Sequence, residues 1–309
     1  MTAGELFLQQ AINGLSLGAM YSLLALGFTL VYGIMELINF SHFNVFMVGS
    51  MVAMLALQAL GVSGQQTIMT GLPLVGVLLA AFLVTMGFCG LIGVSIERFL
   101  LRPLRAVKGP AAMITTIGVS YVLFNGVLLT VGADSKNFPN PLPPITWEFG
   151  AAVLRLREVL IWVIALLLMG GLSYFVQYTK LGKAMRATAQ DPEAARMMGV
   201  EVDQVIMTAF FVGSALAGAS GMIFGLYYNY TSFIVGFSAG LRAFTAAVLG
   251  GIGNVPGAMV GGVLVGLIEA MGGHLVGTAW ADVIIFSMLV LVLVFRPAGL
   301  MGRVAPNKS

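Results

Sequence analysis

Long apolar runs dominate the chain and are separated by short polar segments. Residues 6–35, 109–133, 159–179 and 204–241 contain no Asp, Glu, Lys or Arg. A helix rises ~1.5 Å per residue, so about 20 apolar residues cross a ~30 Å hydrocarbon core. Each run therefore predicts a membrane-spanning helix. The predicted spans are 7–33, 43–61, 71–96, 112–132, 158–178 and 205–228, then a broken segment at 239–272 and a short last span at 281–295.

Composition supports lipid as the solvent. The chain is 59% hydrophobic and only 9% charged, whereas soluble domains are roughly 25% charged. We predict an all-α polytopic membrane protein of about 8–9 transmembrane helices, one or two of them broken. We expect one transmembrane domain over residues 1–309. Cys89 is the only cysteine, which excludes a disulfide within the chain and a cysteine-based metal site.

The basic residues predict the orientation. Lys and Arg concentrate in loops that remain in the cytoplasm, and this explains the formal charge of +3 without a nucleic-acid partner. The basic residues form three clusters. All three clusters lie on the cytoplasmic side of the membrane only if the 239–272 segment turns back at 250–257, and the N-terminus then lies outside the cell. The three clusters are Arg98, Arg102, Arg105 and Lys108; Lys180, Lys183, Arg186 and Arg196; and Arg296, Arg303 and Lys308.

Two loops have distinct character. The outer loop 133–149 contains four prolines, which predict a stiff, extended, exposed segment that is neither helix nor central strand. It suits a docking surface or a passive connector. A polar turn at 61–67 is expected to join the second and third spans.

The cytoplasmic segment 180–203 contains a short helix with both ends specified. Asp191 is an N-cap residue, and Pro192 suits the first helical position, where its missing N–H is not needed. Glu193 lies in the first turn, where the helix dipole favours an acid. Gly199 suits the left-handed residue that ends a helix. We therefore predict a helix of about two turns between Asp191 and Gly199.

A helix this short is unstable alone in water, so it must rest on other protein. Ala194, Met197 and Met198 fall at i, i+3 and i+4 on one face. Two interpretations remain open. The helix packs on its own chain and merely links two spans, or it inserts into a groove of a soluble partner.

The amino-acid sequence of this helix resembles a known motif. Glu193-Ala194-Ala195, three further residues and Gly199 are similar to the EAA-x3-G signature of ABC importer permeases. The resemblance implies a cytoplasmic coupling helix that enters a cleft on an ATP-binding subunit. The residues it implicates in coupling are Asp191, Glu193, Ala194, Ala195, Arg196 and Gly199.

Three more segments resemble the permeases of branched-chain amino acid importers. They are YGIMELINFSH at 32–42, AFTAAVLGGIGNVPGA at 243–258 and LVLVFRPAGLMGR at 291–303. Order, spacing and length are similar to the H-type subunit rather than the M-type. The chain departs from the family pattern at Glu36 and at Phe43-Asn44, which concerns the substrate more than the architecture.

The resemblance implies a multi-subunit importer in the plasma membrane of a prokaryote, the inner membrane if it is Gram-negative. This chain would pair with a second homologous permease, two ATPase subunits and a soluble substrate-binding protein. The implied cargo is leucine, isoleucine and valine, although relatives also carry urea, short amides and aromatic acids. The sequence has no G-x-x-x-x-G-K-[ST] loop. We therefore expect ATP on the partners, no cofactor on this chain and no enzymatic activity of its own.

Two predicted breaks in the helices are candidates for the translocation path. Non-helical backbone at membrane depth is tolerated only where protein or a wet cavity covers it, and free N–H groups at a helix start suit a carboxylate. A capped turn near the inner interface is the alternative. The candidate path residues are Asn39, Ser41, His42, Asn44, Gly253 and Asn254, and the candidate hinge residues are Gly250, Gly251, Pro256 and Gly257.

Ionisable residues within apolar segments are costly and need an explanation. We expect Glu269 and Asp282 to lie at span ends, solvated at the interface, and His274 to lie in a Gly-rich outer turn. A proton relay between Glu36 and His42 is not favoured, because the sequence offers no second acidic site.

Three other classes of protein were weighed. A stand-alone channel for a small neutral solute such as urea explains broken helices but not a capped cytoplasmic helix. An ion-coupled carrier usually has several intramembrane acids, which are scarce here. A membrane-embedded enzyme would need a metal-ligand spacing or a nucleophile–base pair, and the two histidines are far apart at 42 and 274. The sequence favours the ABC permease.

Overall fold

The computed structural model describes residues 2–62, 68–105, 107 and 109–302 and is built almost entirely of helices. The predicted turn at 61–67 lies mostly outside the described residues, as do Lys108, Arg303 and Lys308. The α-helices are α1 (Ala3–Met35), α2 (Ser41–Ala59), α3 (Gly71–Ser95), α4 (Ala111–Val131), α5 (Leu156–Tyr178), α6 (Lys180–Gln190), α7 (Pro192–Met197), α8 (Val202–Tyr228), α9 (Val235–Gly250), α10 (Val255–Val276) and α11 (Ala281–Phe295).

Several shorter elements complete the chain. A π-helical turn (Ile96–Leu101) and a 3-10 turn (Arg102–Leu104) extend α3, and a 3-10 turn (Thr278–Trp280) precedes α11. Strand β1 (Lys136–Asn137) pairs antiparallel with β4 (Tyr230–Thr231), and β2 (Thr146–Phe149) forms a hairpin with β3 (Ala152–Arg155).

Within the described residues, eight helical segments are long and apolar enough to cross a membrane, and α9 is a shorter apolar helix. The prediction of an all-α polytopic membrane protein is thus confirmed. The predicted broken segment at 239–272 is the pair α9 and α10, which is somewhat longer at both ends. That the chain forms a single domain stays a prediction.

Helices α1 and α8 form the centre of the bundle, and glycines let their neighbours approach closely. A Cβ built on Gly213 of α8 would lie 2.7 Å from the carbonyl oxygen of Gly27 in α1. One built on Gly49 of α2 would lie 2.6 Å from the Cα of Gly218 in α8. Such contacts are characteristic of membrane helices, which associate through packing rather than through a hydrophobic effect.

One end of the bundle collects the described basic clusters, and we call it the basic end. Asp203 at the start of α8 binds Arg102 and Arg196, which belong to the first and second clusters. The segment after Arg296 returns to the end of α9, where the Leu300 N–H donates to the Leu249 carbonyl at 2.9 Å. The predicted turn between α9 and α10 is therefore confirmed, together with the shared side.

The Pro-rich outer loop differs from its prediction. It contains no helix between residues 133 and 149, as expected, but its middle is not exposed. Phe138 is fully buried against Gly225 of α8, and its N–H donates to the Asn229 carbonyl at 3.0 Å. The Asn140 amide donates to the Asn229 side chain at 2.8 Å. The proline pattern missed this, because a single aromatic side chain folds the loop onto the bundle.

We predict that Gly49→Ala lowers the stability of the folded chain. The added methyl group would meet the Gly218 backbone, which cannot move as a side chain can, and overpacking of this kind costs about 1–3 kcal/mol. Gly87→Ala in α3 is the matched control, because a Cβ there meets no described atom within 4 Å. Thermal unfolding in detergent should show a lower midpoint for Gly49→Ala alone. Equal midpoints for both variants would contradict the close packing of α2 on α8.

Candidate functional site

The capped helix predicted at the basic end is present as α7. The Asp191 Oδ1 atom accepts hydrogen bonds from the backbone N–H of Glu193 at 2.9 Å and of Ala194 at 3.0 Å. Pro192 is the first helical residue, and Gly199 follows the helix with φ +82°. The local prediction is confirmed at both ends, because each of these conformations was specified by a residue type.

The side chains of α7 divide between the chain itself and solvent. Met197 is 83% exposed and Met198 is 84% exposed, while Ala195 is 5% exposed and faces its own chain. Ala194 is half-buried. A pair of exposed methionines on a polar segment suits an adaptable contact with another protein. Of the residues predicted for coupling, Ala195 therefore packs against its own chain. Asp191, Glu193, Arg196 and Gly199 are exposed beside the two methionines.

The predicted break near Asn39 lies slightly earlier in the chain. Helix α1 ends at Met35, Glu36 is left-handed with φ 51°, and α2 starts at Ser41. The non-helical backbone is therefore 36–40, and residues 41–44 form the first turn of α2. Asn39 caps this turn, since its Oδ1 atom accepts from the backbone N–H of Ser41 at 3.1 Å and from the Ser41 hydroxyl at 2.5 Å.

The first turn of α2 lies deep in the bundle. The His42 ring is 3.2 Å from the carbonyl oxygen of Leu24, which precedes the end of α1 at Met35 by eleven residues. Eleven residues correspond to ~16 Å along a helix. Since α1 has 33 residues, helix α2 starts about one third of the way along α1 from the C-terminal end of α1. His42 itself is 1% exposed and packed in the core, so it does not reach the cavity described next, because its ring pairs with the α1 backbone instead.

A cavity of about 1040 Å³ lies beside this turn. Asn44 of α2 forms part of its floor and donates from its amide to the Ser120 carbonyl at 2.8 Å and the Ser120 hydroxyl at 2.6 Å. The described residues that line the cavity include no charged side chain. They are Phe40, Phe43, Asn44, Ile117, Ser120, Tyr121, Phe124, Ser135, Tyr230, Ser232, Ile234, Val235, Phe237 and Ser238.

Sequence reasoning missed the second broken element of this cavity. The chain between Tyr228 and Val235 re-enters the bundle, and the Thr231 hydroxyl is 2.5 Å from the Ser50 hydroxyl of α2. The first turn of α9 then packs on the first turn of α2, where a Cβ on Gly236 would lie 2.7 Å from the Asn44 side-chain oxygen. The polar residues YYNYTS at 227–232 interrupt a long apolar run, and this feature of the sequence could have indicated the break between α8 and α9.

The predicted path residues therefore separate in space. Asn44 lines the cavity, Asn39 and Ser41 are bonded to each other at the start of α2, and His42 lies in the core. Gly253 and Asn254 are not brought to the cavity. They lie in the turn between α9 and α10 at the basic end, because α9 runs away from the cavity over its whole length.

The turn at 250–257 is held by the C-terminal segment. Gly251 and Gly253 are left-handed, with φ 109° and 84°. The Met301 N–H donates to the Gly250 carbonyl at 3.1 Å, and the Asn254 amide donates to the Met301 carbonyl at 2.6 Å. Pro256 and Gly257 lie in the first turn of α10, with the Gly257 N–H donating to the Asn254 Oδ1 atom at 3.3 Å. A hinge role for Gly250, Gly251, Pro256 and Gly257 stays a prediction.

An intramembrane ion cluster was also missed. Arg242 of α9 binds Glu269 of α10 at 3.0 Å and Asp282 of α11 at 2.8 Å, and its guanidinium donates to the Tyr21 hydroxyl at 3.3 Å. Glu269 is 12% exposed, so the expectation that water at the interface solvates it is wrong, whereas Asp282 lies in the first turn of α11 and is 54% exposed, as expected. Arg242 supplies the counter-charge of Glu269. The signal was one arginine between two uncharged runs, a pattern that marks a paired residue. His274 is exposed in the last turn of α10.

Across the described ranges, the structure has no group of three or more His, Cys, Asp or Glu that could hold a metal ion. What it has is a bundle of membrane-spanning helices, an uncharged cavity at two broken helices and a short capped helix with two exposed methionines at the basic end. These features define a multi-pass membrane permease. Residues 10–293 match the family model described as "Branched-chain amino acid transport system / permease component". The chain belongs to this family of permease components.

Curated relatives agree over nearly the whole chain. One is the high-affinity branched-chain amino acid transport system permease protein BraD of Pseudomonas aeruginosa, 40% identical over 302 residues with 96% of each chain covered. Another is the permease protein LivH of Escherichia coli, also 40% identical with 96% of each chain covered. An autoinducer 2 import system permease protein, LsrC of Photorhabdus laumondii, is 28% identical over 60% of this chain and 56% of its own. No solved structure matches.

Three of the segments that resemble the family meet in space. Gly33, at the end of α1, packs against Gly253 in the α9–α10 turn. The C-terminal segment then closes over this turn through Leu300 and Met301. Residues distant in sequence thus build one compact junction at the basic end.

We predict that Arg242→Gln destabilises the chain, because it leaves two carboxylates facing each other without their cation. Breaking a buried ion pair costs ~3–5 kcal/mol, and partial exposure of Asp282 reduces this to about 2–3 kcal/mol. The midpoint of thermal unfolding in detergent should fall by several degrees. Arg98→Gln, at an exposed arginine of the basic end, is the control. A fall of equal size in both variants would count against the ion cluster as the cause.

Proposed function

We propose that this chain is the permease subunit of an ABC importer for leucine, isoleucine and valine, with the cavity as part of the translocation path. The observation that carries the proposal is the lining of this cavity, which combines several apolar and aromatic side chains with a few hydroxyls and one amide. The names of the most similar relatives point to the same cargo.

The lining suits a neutral amino acid with an apolar side chain. Phe40, Phe43 and Phe124 offer apolar walls to a branched aliphatic group. Ser232 and Ser238, with the free N–H groups at the start of α9, offer donors to a carboxylate. A dicarboxylic or basic amino acid would bring a charge that the described lining cannot pair, and an unpaired charge is costly in a low-dielectric site.

A second permease would cover the open side of the cavity. Tyr121 and Phe237 are 65% and 66% exposed on its rim, next to the polar floor formed by Asn44 and Ser120. Non-helical backbone such as 230–234 is not tolerated against lipid. A homologous subunit on this face would enclose the path between the two permeases.

The two ends of the bundle would dock the remaining subunits. Helix α7, with Asp191, Glu193 and Gly199 fixing its shape and Met197 and Met198 exposed, would enter a cleft on an ATPase subunit. Two such ATPases would bind and hydrolyse ATP. At the opposite end, a soluble binding protein would deliver the amino acid. ATP-driven closure of the ATPases would move the coupling helices and open the path alternately to each side.

Other cargoes remain the runner-up within the same class. Urea and short amides are also neutral, and aromatic acids would find aromatic walls in the cavity. A stand-alone channel is less well supported, because it gives no reason for two almost fully exposed methionines on a helix capped at both ends.

The first test is purification of the tagged chain from its native membrane in mild detergent, with mass spectrometry of the proteins that accompany it. We expect ATPase subunits and a second permease.

Glu193→Lys and Gly199→Pro should lose the ATPases and ATP-driven uptake while membrane insertion is unchanged. The first variant reverses a charge on α7 and the second changes its backbone, so that α7 no longer fits the groove of the ATPase. Asp191→Ala should be milder, since a lost cap costs ~1 kcal/mol.

Two matched controls accompany these variants. Glu193→Gln keeps the shape of the side chain, and Gly199→Ala meets no described atom within 4 Å and costs only ~1–2 kcal/mol of left-handed strain. Both should retain the ATPases. A wild-type chain that purifies alone and passes solute without ATP would replace the importer by a channel. Normal uptake in both Glu193→Lys and Gly199→Pro would refute the role of α7.

The cavity is tested by Ser120→Leu, which places an apolar side chain in the floor and removes the hydroxyl that accepts a hydrogen bond from the Asn44 amide, while the bond to the backbone carbonyl remains. We expect leucine uptake by the reconstituted complex to fall about 10-fold or more, in line with the cost of leaving a polar group unpaired, while the ATPases stay bound. Ser95→Leu is the control, since the exposed Ser95 hydroxyl bonds only within its own helix. Isoleucine and valine should compete with leucine, and glutamate and lysine should not. Uptake that is equal in both variants would remove the cavity from the path.

A further inference from the structure

One aspartate at the basic end joins three segments of the chain, namely α8, α7 and the turns that follow α3. Asp203, in the first turn of α8, accepts from Arg102 and from the Arg105 Nη1 atom at 2.7 Å, and lies 3.8 Å from Arg196 of α7. Arg105 also donates to Glu97, whose side chain is 1% exposed in the π-helical turn. We call these five residues the Asp203 cluster.

The Asp203 cluster links α8 to distant segments of the chain as well as to its neighbour α7. Helices α7 and α8 are already adjacent through the short link 198–201, in which the Val200 N–H donates to the Ala195 carbonyl at 3.0 Å. The bonds from Arg102 and Arg105 are different, because they fix the α7–α8 junction to the segment that leads from α3 into α4. That segment begins with a π-helical turn, and such turns occur often at functional positions.

Helix α4 has few other attachments. Within α4, all of which the structure describes, only Thr116 and Val127 are buried. The Thr116 hydroxyl accepts from the Phe40 N–H at 3.3 Å, and Ser120 holds Asn44. Helix α4 thus contacts the π-helical turn that contains Glu97 of the Asp203 cluster, is bonded at its middle to the floor of the cavity, and forms one wall of that cavity.

We propose that Asp203 is a positioning residue that fixes the coupling helix α7 to the base of α4, so that movement of α7 changes the wall of the cavity. The inference rests on the proposed function and adds the route by which the docking helix and the path communicate. Coupling between distant sites requires a connected physical network, and here it consists of the Asp203 cluster, α4 and the two bonds of Ser120 to Asn44.

The test uses the complete complex in liposomes, with Asp203→Asn and Asp203→Glu as the main pair. Asparagine keeps the size of the side chain but removes its charge, whereas glutamate keeps the charge. Glu201→Gln is the control, because Glu201 bonds Gln204 and not the arginines. Arg102→Gln, alone and combined with Asp203→Asn, completes a double-mutant cycle. Leucine uptake and ATP hydrolysis are measured together, as amino acid transported per ATP.

A second readout follows the cavity wall itself. Tyr121→Cys in α4 is labelled with a maleimide, with and without ATP, in a chain whose buried Cys89 is replaced by alanine. In Asp203→Asn, we expect transport per ATP and the ATP-dependent change in labelling each to fall at least about 5-fold, the lower end of typical coupling between sites. Asp203→Glu and Glu201→Gln should remain close to the parent chain. The double variant should be no worse than Asp203→Asn alone.

Three results would overturn the proposal. Asp203→Asn could keep its transport per ATP and its labelling change. It could lose the ATPases in proportion to uptake, which would make Asp203 a residue of stability only. The effects of Arg102→Gln and Asp203→Asn could simply add. Failure of the proposed function would be distinct, because the unmodified complex would then contain no ATPase or transport no leucine.

Discussion

The structure depends on one constraint, which is that backbone N–H and C=O groups at membrane depth must be paired within the protein. Long helices satisfy it over most of the chain. Among the described residues, the two exceptions, 36–40 and 229–234, both border the cavity, and each is closed by contacts to its neighbours. Asn39 caps α2, the Phe40 N–H uses the Thr116 hydroxyl, and Thr231 pairs with Ser50. The cavity exists because two helices start inside the bundle instead of at its surface.

The charged groups follow a related rule. Charge is costly in an apolar environment unless it is paired, and the described charges within or near the spans are gathered into clusters. Arg242 joins α9, α10 and α11 through Glu269 and Asp282, and Asp203 joins α3, α7 and α8 through three arginines. The first cluster supports the helix whose start lines the cavity. The second supports the helix that carries the exposed methionines.

Membership in the permease family gives these features a common setting. The segments of the sequence that resemble the family are not spread evenly through the fold. They form the break at the start of α2, the short capped helix α7, and the α9–α10 turn with the C-terminal segment that covers it. The cavity and α7 lie at different depths of the bundle, and α4 lines the cavity.

The sequence by itself determined the local features, because short-range chemistry specifies them. Apolar runs of ~20 residues predict the spans, and Asp191, Pro192 and Gly199 predict both ends of α7. The tertiary structure decided which residues meet. No local pattern could place Asn44 beside Ser120 and Gly236, move His42 into the core, separate Gly253 and Asn254 from the cavity, or pair Arg242 with Glu269. Those contacts depend on how far one helix lies along another, and in a membrane this is set by close packing at glycines such as Gly49 and Gly218 and not by hydrophobicity.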